Sequence, residues 1–225
     1  MSENFGEKKV SLSEKTVQWE GALAGLEAIK DKLGKGIDEN IKETVAAFLV
    51  NDFPTRQSCE GHLESQSGTV RMIAPYVDIA VPEPKERFAG EEEIREKIAA
   101  QFDIPPEAIE EDNAADAAYW NYISDNHIEE TSEYQEARKK NEELQHRAEE
   151  LIGEFYNQRS SEMQRHLHIR SVGASGLFRV EGAGGFAEDV PIEDAERRRS
   201  ELADEQGEMT ALAEFLKERF LEESK

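Results

Sequence analysis

One cysteine, Cys59, stands in a chain of 225 residues, so no disulfide can form within it. No apolar run approaches the roughly 20 residues that a membrane-spanning helix requires. No glycine-rich phosphate loop, paired-cysteine zinc motif or recognisable catalytic triad occurs along the sequence. Positive charge is scarce: 27 Lys and Arg face 50 Asp and Glu, a net charge of -23. A field of that sign repels nucleic acid and anionic membrane at long range, which excludes general binding to either and favours cationic partners. A lone thiol and a polar start, MSENFGEKKVS, point to a reducing cytoplasm.

Charged residues make up 34% of the chain and hydrophobic ones 37%, a balance that fits long solvated helices around a modest core. The one stretch that reads as sheet with reactive side chains is Phe53 to Pro82. Thr55 to Cys59 is too short for a helix and is closed by Gly61, so it reads as a strand ending in a tight turn. Pro75 to Val81 alternates Val77, Ile79 and Val81 with Tyr76, Asp78 and Ala80, the period of a half-buried strand. The polar segment Glu64 to Thr69 reads as the loop between two antiparallel neighbours.

These residues carry a resemblance. Thr55, Ser58, Cys59, Glu60, Gly61 and His62 form a T-x-x-S-C-E-G-H segment, and Pro75, Tyr76, Val77 and Ile79 a following P-[WY]-V-x-I. Over about residues 15 to 82 the chain resembles a family of uncharacterised bacterial proteins that bears these two segments. The resemblance implies kinship, and no activity comes with it.

Residues 1 to 11 have no periodicity and read as a mobile tail. Ser11 or Ser13 can cap a first helix with apolar positions Trp19, Leu23, Leu26, Ile29 and Leu33, and Asp38 can cap a second through Ile41, Val45, Phe48 and Leu49. Helical patterns return at Glu91 to Phe102 and Ala114 to Ile123, with a capping-box spacing at Ser132 to Gln135. From there Tyr134, Ala137, Asn141, Leu144, Ala148, Leu151 and Phe155 form a heptad stripe on a charged helix. Such a stripe needs a partner: the C-terminal stripe Met209, Leu212, Ala213, Leu216 and Phe220, or a second copy of the chain in a homodimer through 134–155. His166 to Val172 and Gly176 to Glu181 read as a second hairpin.

The pattern predicts an α+β protein: a small antiparallel sheet of two hairpins backed by helices, with a long helical arm over 114–160 inside a domain of 12–189 and C-terminal helices over 190–225. Three sites are candidates. Cys59 and His62, with Asp78 on the neighbouring strand, have the residue types of a cysteine nucleophile, its base and an orienting acid. Cys59 and His62 with His166 or His168 offer mixed sulfur and imidazole donors for zinc, without the paired spacing of structural zinc sites. His166, His168, Arg170 and Arg179, with Tyr76 alongside, would form a polar sheet face suited to a small anion. Arg159, Arg165, Arg170 and Arg179 against Glu162 and Glu181 make that segment +2, four minus two. The sequence thus leaves a ligand-binding or interaction module beside a small thiol enzyme.

Overall fold

The computed structural model describes residues 11–30, 34–159, 166–183 and 189–222. The tail expected before Ser11 lies outside them, as do Leu33 and Arg165. The chain divides into two compact units, one built from residues up to Val81 and from Asn141 onward, the other from Pro82–Lys140. Among the described residues no helix is long and apolar enough to cross a membrane.

In the larger unit, helix α1, Leu12–Glu27, starts at a capping box in which Ser11 and Glu14 satisfy each other's backbone N–H groups. A 3-10 turn, Glu39–Ile41, leads into α2, Lys42–Val50. Asp38 does not cap it by a side-chain bond. Strand β1, Thr55–Cys59, pairs antiparallel with β4, Tyr76–Ile79, as the alternation predicts. The segment between them is more than a loop. It is a hairpin of β2, His62–Gln66, and β3, Thr69–Ile73, turned by Ser67 and Gly68 at φ 51° and 86°. Two successive positive φ values match the twist of a tight hairpin. Its alternation is only Val70 and Met72 around Arg71, too brief to announce a strand by pattern.

Strands β5, His168–Ser171, and β6, Phe178–Glu181, form the second expected hairpin. They complete an antiparallel sheet in the order β1-β4-β6-β5, so the two predicted hairpins share one sheet. The short β7, Val190–Pro191, extends the β2-β3 pair. Val77, Ile79, Phe178 and Val180, all fully buried, present one apolar face to Phe48, Phe53, Met209, Leu212 and Leu216.

Helices α5, Ser132–Asn157, and α6, Ala195–Glu222, are the two longest. The N-cap of α5 is Thr131, whose hydroxyl accepts from Tyr134 N–H, one residue before the expected Ser132. The heptad stripe is spent inside the chain: Ala148, Leu151 and Phe155 join the core of the larger unit, while Tyr134 is buried under the Arg87 guanidinium of the smaller. A homodimer through 134–155 therefore loses the exposed face on which it was inferred. Asn141, 2% exposed, accepts from Val81 N–H and donates to Ser175 O, serving the sheet backbone rather than helix register.

The smaller unit is helical. Strand-free apart from a single bridge, it packs α3, Glu91–Phe102, a 3-10 turn, Pro106–Glu111, and α4, Asn113–Asp125, around Ile94, Ile98, Ile109, Tyr119 and Ile123. Asp112 caps α4 by accepting from the N–H groups of Ala114 and Ala115.

Candidate functional site

The polar side of the four-stranded sheet carries two rows set by register. Gln57, Asp78, Arg179 and Arg170 lie across the strands in one, and Cys59, Tyr76, Glu181 and His168 in the next. Strand alternation thus brings Tyr76, Asp78, His168, Arg170 and Arg179 together as the sequence predicts. His166 is not among them. It lies ahead of β5 and stacks on Tyr156 of α5, ring centroids 3.8 Å apart.

Within the rows the charges are already matched. Arg179 forks onto Asp78 at 2.7 and 2.9 Å and covers the Tyr76 ring at 3.6 Å. Arg170 forks onto Glu181 at 2.8 and 3.2 Å. Asp78 and Glu181 are both 3% exposed, and each needs its guanidinium to offset the cost of burying a carboxylate. An anion would have to displace a buried carboxylate from its fork. The expected basic surface is a neutral lock of two arginines and two acids, and Asp78 is committed to it rather than to Cys59.

Cys59 ends β1 at a turn that α6 holds from behind. Gln206 Nε2 donates to the carbonyls of Glu60 and Gly61 at 2.9 and 3.4 Å. Gly61 has φ +83°, and a Cβ there would lie 2.8 Å from Leu202 Cδ1, 2.9 Å from Pro75 N and 3.0 Å from Ile73 O. Only glycine fits both the conformation and the space. The turn places Cys59 Sγ 3.6 Å from His62 Nδ1, and His62 Nε2 3.2 Å from Glu64 Oε1. The third member of this line is Glu64, two residues along β2 and on the same face as His62, a position that strand alternation would have supplied had β2 been read as a strand.

The electrostatics of the turn oppose a reactive thiolate. Burial pushes the Cys59 thiol up, the Gly61 N–H on Sγ draws it down by less, and Asp38 and Glu60 push it up further. Asp38 itself stays below the usual carboxylate range, held there first by a hydrogen bond from Lys35 and also by the Glu60 N–H and His62. At pH 7 Cys59 is expected to alkylate with iodoacetamide more slowly than a free thiol of pKa about 8.5. His62→Ala should leave that rate unchanged, whereas a fast reaction that needs His62 would restore the nucleophile. Among the described residues no three His, Cys, Asp or Glu side chains converge as a metal site, and His166, one of the zinc donors that the sequence offered, is stacked on Tyr156.

Beside the same turn opens a cleft of about 660 Å³. It is lined by the apolar Leu23, Ile41, Met209 and Ala213 and by Glu27, Glu39, Glu43 and Glu60 together with a single Lys42. Gly207, in mid-helix on α6, lines it with no side chain, and a Cβ there would meet nothing within 4 Å. The lining comes from five separated segments, so no local spacing reveals it. Two are nevertheless part of the quoted segments: Glu60 and Pro75 both line the cleft. No family model matches the chain, and no curated protein or solved structure is significantly similar to it.

Proposed function

We propose that the protein is a small-molecule binding protein whose site is the cleft between α1, α2 and α6, and that its ligand is an organic cation with an apolar body. The observation that carries this reading is the cleft itself, about 660 Å³ and lined by both apolar side chains and four carboxylates. That volume falls within the range typical of ligand sites, about 300–1,000 Å³. The net charge of -23 adds to the local one, since an acidic surface raises the concentration of cations near such an opening. In this reading the T-x-x-S-C-E-G-H segment is an architectural one: its turn delivers Glu60 to the wall, and Cys59 is a small buried residue at the end of a strand. The single cysteine supports a reducing cytoplasm as the place of action.

A thermal-shift panel tests it. Amines, guanidines and quaternary ammonium compounds should raise Tm, while carboxylates and phosphates should not. Gly207→Leu should abolish the shift by filling the cleft, and should leave the unliganded protein as stable or more so, because glycine in an exposed helix interior costs about 1 kcal/mol relative to alanine. A cation-dependent shift that survives Gly207→Leu would place binding elsewhere.

A second reading, a thiol enzyme, is favoured by the line from Cys59 through His62 to Glu64. It requires the thiolate that burial disfavours. The alkylation experiment on Cys59 decides between them.

A further inference from the structure

The cleft carries a cation of its own. Lys42 opens α2, and its Nζ lies 2.7 Å from Glu27 Oε1 at the end of α1 and 2.5 Å from Glu39 Oε2 in the 3-10 turn. The three side chains differ sharply in exposure. That of Lys42 is 14% exposed, those of Glu27 and Glu39 66% and 81%. The Lys42 stem is packed on the cleft wall, and its ammonium is held between two solvent-exposed carboxylates. Their hydrogen bonds raise the Lys42 ammonium above the ordinary lysine range and hold Glu27 below the ordinary carboxylate one. Such pairs between a lysine and solvated acids are weak, because water screens them and long side chains lose freedom in making them. They are easily exchanged for another cation.

Building on the cleft reading, we infer that Lys42 is an internal placeholder, occupying the carboxylates that the ammonium or guanidinium of the ligand takes over on binding. The ligand's charge is then positive and its apolar portion rests on Leu23, Ile41, Met209 and Ala213. The charge count favours this sign. Four carboxylates line the site against one ammonium, and two of them already hold that ammonium's N–H groups. An anion drawn to Lys42 would have to break both hydrogen bonds and settle among the acids. A cation meets an excess of acceptors, and displacing Lys42 leaves the lysine free to swing its flexible stem into water.

Lys42 should thus act oppositely to a binding group. Benzylamine and benzoate, matched in ring and opposite in charge, are titrated into the full chain at low salt by NMR, reading the signals of cleft residues. Benzylamine should bind the wild type. Lys42→Met should bind it roughly threefold to tenfold more tightly, the factor expected from removing one like charge a few ångströms away in a solvent-like dielectric. Glu27→Gln should bind it more weakly by a similar factor. Glu27 is exposed and methionine keeps the apolar stem of Lys42, so Tm should change little in either variant. If Lys42→Met weakens benzylamine or leaves it unchanged, Lys42 is no competitor and the inference is wrong, while the cleft stands. If benzoate binds and Lys42→Met abolishes it, the sign of the ligand is reversed. If neither probe binds the wild type or Lys42→Met, the cleft reading itself falls.

Discussion

Arg179→Leu is expected to destabilise the protein by about 3–5 kcal/mol, the cost of leaving a buried carboxylate without its partner. Asp78 is 3% exposed and both its oxygens are engaged by that one guanidinium. The substitution also uncovers the Tyr76 ring. Against the roughly 5–15 kcal/mol that holds a typical domain together, such a loss is large enough to leave a substantial unfolded fraction. Chemical denaturation measures it, and a second variant separates burial from attraction. Arg179→Leu combined with Asp78→Leu should recover most of the loss, because a well-packed apolar pair often matches or exceeds a buried ion pair. A single variant within about 1 kcal/mol of wild type would mean that the pair is exposed in solution, and the lock across β4 and β6 would be wrong.

Gly61→Ala is expected to be comparably damaging from a single methyl group. Two costs combine: a left-handed φ of +83° for a residue with a Cβ, and contacts of 2.8–3.0 Å with Leu202, Pro75 and Ile73, two of them with backbone atoms. Strain of the first kind costs about 1–3 kcal/mol, and overpacking adds typically about 1–3 kcal/mol. The consequence reaches the cleft, because Gln206 grips this turn and Glu60 lines the opening. Tm should fall by several degrees and any cleft ligand should bind less well. Gly207→Ala is the control, since it adds the same methyl group where nothing lies within 4 Å. An unchanged Tm for Gly61→Ala would show that the turn adapts.

How much of this was legible in the sequence depends on the range of the interaction. The period of Val77 and Ile79 and the cap at Ser11 are local signals, and the strands and helix follow from them. The two hairpins of one sheet and the membership of Tyr76, Asp78, Arg170 and Arg179 in one face follow from alternation. What alternation does not contain is which charge meets which: a residue's face is local, its partner 101 positions away is not. His166 was lost for a related reason, since alternation holds only within a strand and β5 begins at His168. The β2-β3 hairpin escaped because its buried side is two residues long, and Glu64 escaped with it. The cleft was the least legible, drawn from α1, the start of α2 and the turn before it, the Cys59 turn, Pro75 and α6.

The position of β4 in the sheet has a consequence for how the chain comes off the ribosome. One side of β4 is satisfied by β1, which precedes it, but the residue opposite Asp78 on the other side is Arg179. All of the smaller unit and α5 are synthesised in between. At about 5–20 residues per second the intervening hundred residues take roughly 5–20 seconds. Until Arg179 has been made, β4 has no β6 to pair with on that edge, and Asp78 has no arginine. An unpaired edge of this kind is a template for pairing with other chains. Release of a truncated chain before Arg179 should therefore yield aggregates rather than a smaller folded protein.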